Sequence, residues 1–191
     1  MGSHRRIACR VGLLGFLLLQ IACIKAIPIT QDGQQSLVEE EGILILHSDS
    51  DVAFNLVLIS KGQALPPTEF EAGQQLRALV VDAGMYRAAS LARGNLIYSV
   101  GHEKDWNFRV EPGQINYPGQ IVIRYAPGGL YIFHQSRTAM ALKEIQRRFP
   151  TLLEQHPLVY TGSDEDEFAR RYPLLLRTNR AEPADPADVE P

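Results

Sequence analysis

The stretch Leu76-Arg-Ala-Leu-Val-Val-Asp-Ala-Gly-Met-Tyr-Arg-Ala-Ala-Ser-Leu91 decides the fold. Two apolar runs, 76–81 and 85–91, flank Asp82-Ala-Gly84. Gly84 supplies the positive φ that a tight hairpin needs. Downstream, Trp106, Phe108 and Val110 alternate with Asn107 and Arg109, a period of two that buries one face of a strand. Upstream, Gly42-Ile-Leu-Ile-Leu-His47 and Val52–Ile59 are apolar runs separated by the turn-forming Ser48-Asp-Ser-Asp51. Lys61–Thr68, with Gly62, Pro66 and Pro67, reads as a loop. Leu96–Val100, then Gln114–Tyr125 with a kink or bulge at an edge at Pro118-Gly119, and Leu130–Phe133 complete the set. Strands at this spacing with short turns between them predict a mainly β fold. The expectation is an antiparallel β-sandwich, immunoglobulin-like or prealbumin-like, of seven to eight strands.

The period changes after residue 135. Arg137–Phe149 carries Met140 or Ala141, Leu142, Ile145 and Phe149 at helical spacing, between Ser136 as a cap and Pro150 as a stop. Ser163-Asp-Glu-Asp166 has capping-box spacing before a second short helix that ends near Arg170-Arg171-Tyr172. The expected organisation is therefore a leader at 1–26, a tether at 27–41, the β-sandwich at 42–135, a C-terminal helical extension at 136–180 and a disordered Pro/Ala/Asp/Glu tail at 181–191.

The leader reading rests on Arg5, Arg6 and Arg10 followed by the apolar run Val11–Ile24. A basic head and a short apolar core are the signal-peptide pattern, and the run is short for a membrane span. Two cleavage sites compete. Leu19-Gln20-Ile21-Ala22-Cys23 resembles a bacterial lipobox, with Gln20 departing from the usual aliphatic residue, and makes Cys23 the lipidation candidate. The other site follows Ala26. Cys9 and Cys23 are the only cysteines in the chain, so the domain beyond them has no disulfide framework. The expected location is the cell envelope, membrane-anchored or periplasmic, with the membrane engaged through the lipid anchor or signal sequence.

Charge limits the partners. Residues 1–23 hold three of the 19 Lys and Arg and no acid, so the remainder carries 22 acids against 16 bases. That net −6 runs against duplex binding, which requires phosphate neutralisation, and no nucleic-acid partner is expected.

Val81-Asp-Ala-Gly-Met-Tyr-Arg87 with Phe108-Arg-Val-Glu-Pro-Gly-Gln-Ile-Asn-Tyr-Pro-Gly119 resembles a loose group of exported bacterial lipoprotein-like proteins with a DUF2846-like or carboxypeptidase-regulatory-like sandwich. The resemblance covers about residues 42–135. It implies an envelope location and no enzyme activity, and it transfers no functional residue.

Motifs of catalysis and metal binding are weak. His47-x-Asp49-x-Asp51 lacks the glycine and glutamate of an EF-hand loop and reads as a solvated turn. His102-Glu103-Lys104-Asp105 reads as a polar loop, and Ile97-Tyr-Ser-Val-Gly101 has only half of a nucleophile elbow. No catalytic residue, metal site or cofactor is expected. The favoured function is a non-catalytic envelope protein that contacts another envelope protein. Two alternatives stay open: a glycan or cell-wall binding module using Tyr86, Tyr98, Tyr117 and Tyr125 as a ligand face, and a hydrolase with dispersed residues.

Overall fold

The computed structural model describes residues 25–100 and 106–171. Among the described residues thirteen strands run in chain order: β1 Ala26–Ile29, β2 Glu41–Ser50, β3 Phe54–Ser60, β4 Gln63–Ala64, β5 Thr68–Phe70, β6 Gly73–Asp82, β7 Gly84–Arg93, β8 Leu96–Ser99, β9 Asn107–Val110, β10 Ile115–Tyr117, β11 Gln120–Ala126, β12 Gly129–Gln135 and β13 Leu158–Tyr160. Three helices accompany them: α1 Thr138–Arg148, α2 Pro150–Gln155 and α3 Glu167–Arg171. The chain is a mainly β, antiparallel-rich sandwich with a small helical C-terminal part. Its strands outnumber the seven or eight expected because several long runs are broken and short ones pair as well.

One sheet has seven strands and the other six. In the larger sheet β1, β6 and β2 lie in that order, and β2 then meets both β10 and β11; β13 flanks β10 and β12 flanks β11. In the smaller sheet β3 and β7 are central, with β4 and β5 beside β3 and β8 and β9 beside β7. Leu44, Leu46, Leu79, Val81, Ile121 and Ile123 of the larger sheet meet Phe54, Leu56, Leu58, Tyr86, Leu91, Trp106 and Phe108 of the smaller one. The opposite face of the larger sheet, with Ile43, Ile45, Leu76, Ala78, Ile115 and Tyr117, is covered by Ala141, Leu142, Ile145, Phe149, Leu152 and Leu153 of α1 and α2. The larger sheet is thus the middle of three layers. Of the two residues offered for the first helical contact, Ala141 is buried and Met140 is exposed.

Several expectations need correction. The sheet is mixed: β10 and β11 run parallel to β2, and β13 runs parallel to β10. The interruption at Pro118-Gly119 lies inside the sheet, beside β2, and not at an edge. There Pro118 has no N–H to give, and Gly119 sits at φ 125°, where a β-carbon would collide with His134 Nε2. Ser48–Ser50 belong to β2, so the turn begins only at Asp51. The cap of α1 comes from elsewhere than Ser136: Asp166 Oδ2 accepts from the Thr138 N–H at 3.1 Å, while Asp166 Oδ1 accepts from the Ala169 N–H at 2.9 Å. One carboxylate therefore caps both α1 and α3, and α3 starts at Glu167 rather than at Ser163.

Nor is 27–41 a free tether. Ala26–Ile29 pair with Val81–Ala78 of β6. Asp32 accepts from the Thr151 and Leu152 N–H groups at the start of α2, and the Gln35 N–H donates to Gln155 Oε1. Lys25 is ion-paired to the buried Glu41. The leader before Lys25, residues 101–105 and the tail at 181–191 lie outside the described residues.

The turn Glu111-Pro-Gly113 is held by Asn116, which is fully buried. Its Oδ1 accepts from the Glu111 N–H at 2.8 Å, and its Nδ2 donates to the Glu111, Gln114 and Ile43 carbonyls at 2.9, 3.0 and 3.3 Å. Gly42 lies against this clamp, and a β-carbon there would stand 2.5 Å from the Glu111 carbonyl oxygen.

Burial works to raise the Asp166 carboxyl, but the hydrogen bonds from Thr138, Ala169 and Phe168 outweigh it and hold the group below the ordinary aspartate value. Its capping contribution is complete above the unfolded aspartate value of about 3.9 and disappears as pH falls through the lower folded value. Asp166→Ala is expected to cost about 2 kcal/mol in urea unfolding with an unchanged denaturant slope. Asp166→Asn should retain much of the cap and lose its dependence on acid.

Candidate functional site

The four tyrosines proposed as a ligand face do not share one. Tyr86 on β7 is 2% exposed; its hydroxyl donates to the Asp82 carbonyl at 2.7 Å, and its ring stacks on Phe108 at 5.8 Å. Burial pushes its phenol up to about 12. Tyr117 on β10 is wholly buried on the helix side of the larger sheet. Tyr98 is half-buried on β8, against the inter-sheet core. Only Tyr125, at the end of β11, stands open at 66% exposure. The reason is architectural. Alternation assigns each ring to a face, and in a three-layer fold both faces of the middle sheet are covered.

His47 is also inside. Its Nδ1 lies 3.4 Å from the Tyr117 hydroxyl and its Nε2 lies 3.2 Å from Gln120 Nε2. Gln120 is itself fully buried, and its Oε1 has no partner. Turning the Gln120 amide over would let that oxygen accept from an Nε2–H of His47, with the tyrosine hydroxyl then donating to Nδ1. Among the described residues its hydrogen-bonding neighbours are this tyrosine and this glutamine, while Glu144 and Asp49 act on the ring only through their charge. Asp49 and Asp51 are engaged by Arg124, at 2.8 and 3.7 Å. The arginine's hydrogen bond holds the Asp49 carboxyl below its ordinary value. His102-Glu103-Lys104-Asp105, like Cys23, lies outside the described residues.

His47 forms the floor of a cleft of about 450 Å³ between α1 and the larger sheet, with Gln74, Gln75, Leu76, Met140, Lys143, Glu144 and Arg147 around it. Arg147 grips Glu144 through Nε and Nη2 at 3.0 and 2.6 Å. The space between the sheets near Leu46, Trp106, Phe108 and His134 is only about 20 Å³, room for one water at most.

A different feature is the flank where the two sheets end together. β8 closes the smaller sheet and β12 the larger one, and between them opens a second cleft of about 510 Å³ lined by Ile97, Tyr98, Ser99, Val100, Trp106, Leu130 and Ile132. The edges themselves are Leu96-Ile-Tyr-Ser99 and Gly129-Leu-Tyr-Ile-Phe-His-Gln135, with no Lys, Arg, Asp, Glu or Pro in either. Leu96 and Ile97 are 56% and 73% exposed, Tyr131 and Phe133 52% and 39%. Other edges are blunted in the usual ways: β1 carries Pro28, β4 has two residues, and β5 has three with Glu69 among them. An edge strand is a template for pairing unless it is short, charged or broken by proline. Alternation does not reveal this flank, because Leu130, Tyr131, Ile132 and Phe133 are apolar or aromatic on both faces of the strand. The absence of charge over 129–135 was the available signal.

No helix among the described residues is long and apolar enough to cross a membrane. Comparison with family models, curated proteins and solved structures yields no match to this chain.

Burial pushes the His47 imidazole below its ordinary value, against the raising pull of Glu144 and Asp49 and with the lowering effect of Arg137. The unfolded chain therefore takes up this proton first. Stability is full above the unfolded value of about 6.5 and falls as pH drops toward the folded value. A histidine-resolved NMR titration should find His47 still neutral where an exposed imidazole is half-protonated, and His47→Gln should flatten that part of the stability profile.

Proposed function

We propose that this chain is an exported envelope protein, anchored through an acylated Cys23, that works by contact with another protein rather than by catalysis. The observation that carries the contact reading is the flank where β8 and β12, both uncharged and apolar, end side by side over an open cleft. A soluble monomer rarely leaves such a patch bare without a partner for it. The non-catalytic reading draws support from His47, whose hydrogen-bonding neighbours among the described residues are a tyrosine and a glutamine rather than a carboxylate.

The choice of Cys23 over a cut behind Ala26 draws on the fold. Ala26 opens β1 and pairs with Val81, and Lys25 holds the buried Glu41. A cut after Ala26 would strip Glu41 of its cation and shorten the edge pairing. A cut before Cys23 keeps both. It leaves one residue, Ile24, between the anchor and Lys25, so the domain would sit within about 7 Å of chain length from the acylated residue.

Intact mass of the mature protein recovered from membranes tests the anchor. The expected product begins at Cys23 and carries a diacylglyceryl group. A free amino terminus at Ile27, or an uncleaved chain, overturns it. For the contact reading, a photoreactive residue at Ile97 should yield a protein adduct, and one at Glu69 on the blunted side should not. Equal silence at Ile97 and Glu69 removes the flank as a contact surface.

A further inference from the structure

We infer that β12 pairs antiparallel with β12 of a second copy of this chain, about a two-fold axis at Ile132. The inference rests on the reading of the β8–β12 flank as a contact surface and names its occupant.

β12 has seven residues, more than β1, β4, β5, β8, β9 or β13. It is bound along its whole length to β11, from Gln120↔Gln135 to Ala126↔Gly129. Among the described residues its other side has no backbone partner. An antiparallel strand sends the N–H and C=O of alternate residues to each side, so the outer side of β12 offers a regular row of unmet donors and acceptors.

The sequence suits itself. Tyr131-Ile-Phe133 is near-symmetric about Ile132, with an aromatic on each side. A two-fold axis there sets Tyr131 opposite Phe133 of the second copy, and Phe133 opposite its Tyr131. Both rings are exposed on one face, and directly opposed aromatics on neighbouring strands are a favourable pairing. No charge within 129–135 opposes its counterpart. Two cations neighbour that face: Arg124, in register with Tyr131 and ion-paired to Asp49 and Asp51, and Arg137, whose Nε donates to Gln135 Oε1 at 2.9 Å at the far end of the strand. An unrelated strand would need an equally uncharged and aromatic sequence, and β12 already provides one. The arrangement is isologous, so each chain uses its one long open edge once and assembly stops at two. The two seven-stranded sheets would join into one.

The test uses the full-length chain in membranes with benzoylphenylalanine in place of Phe133, an aromatic for an aromatic. The expected adduct has twice the chain mass, and its cross-linked peptide contains Tyr131 of the second copy. Tyr131→Lys with Phe133→Lys should weaken self-association at least about tenfold in sedimentation. Both side chains are exposed, so an unchanged melting curve would show that the fold survives.

An adduct joining Phe133 to a different protein overturns the self-pairing and leaves the contact reading standing. A ladder of adducts beyond two overturns the closed two-fold arrangement. A chain that is silent at Phe133 and also at Ile97 loses both readings. If the double variant unfolds, the position of the cross-link in the otherwise native chain still decides the matter.

Discussion

The apolar run Ile43–Leu46 of strand β2 has water on neither face, and much of the molecule is arranged to keep it so. Ile43, Leu44, Ile45 and Leu46 are each at most 3% exposed, and their side chains alternate between the two cores. Leu44 and Leu46 face the smaller sheet, while Ile43 and Ile45 face α1 and α2. Burial of each such side chain contributes about 1.5–3 kcal/mol, but only if both layers are present. The helical part is therefore not an appendage. It supplies the second lid of a sheet that would otherwise present an apolar surface to water, and the segment 150–160 also returns a strand, β13, to that sheet.

The third layer is held down by polar contacts rather than by its own length. α3 has five residues and α2 six, too short to persist alone. Asp166 capping two helices and Asp32 meeting the start of α2 satisfy N–H groups that would otherwise be orphaned. His156 adds a clip, with one ring nitrogen 3.1 Å from the Gly113 carbonyl oxygen and the other 3.1 Å from that of Gln35. These contacts tie the N-terminal segment 25–41, the turn at 111–113 and the helices together. The same contacts turn a segment that looks like a tether into part of the fold.

How much of this was legible follows from what periodicity can and cannot encode. The alternation of Trp106, Phe108 and Val110 and the helical stripe of α1 appear as read, because each is a local pattern. The hairpin expected at Gly84 does not form: β6 pairs with β1 and β2 in the larger sheet and β7 with β3, β8 and β9 in the smaller one, so Asp82-Ala-Gly84 carries the chain between sheets. Partner choice is not local. Nothing in Ile115-Asn-Tyr117 says that its neighbours run parallel on both sides, and three residues such as Leu158–Tyr160 are too few to show any period. The unbroken run Ile43-Leu-Ile-Leu46 did hold a clue, since strands buried on both faces read as continuous apolar runs. Taken seriously, it predicts a third layer and moves Tyr117 from a ligand face into a core. Tyr86 could not have been sorted the same way, because its companions Met85 and Arg87 only say that it faces inward, which a ligand groove would also require.

The break at Pro118-Gly119 explains why one flank stays open. Along β2, residues Ile43 and Leu44 face β10, and His47–Ser50 face β11. If residues 115–126 ran as one unbroken strand, a single neighbour could cover its whole outer side. The step at Gly119 gives the two halves different neighbours. β10 receives β13 from the helical part and lies beneath α1 and α2, whereas β11 turns back on itself through Pro127-Gly-Gly129 into β12. The helices are used up on the first half, and the hairpin extends from the second, where among the described residues no strand pairs with the outer side of β12. A glycine that no other residue can replace, because any β-carbon would meet the His134 ring, therefore determines both what is covered and what is left exposed. β12 itself carries no Lys, Arg, Asp or Glu, so the fold withholds from it both of the devices, covering and charge, by which its other edges are kept from pairing.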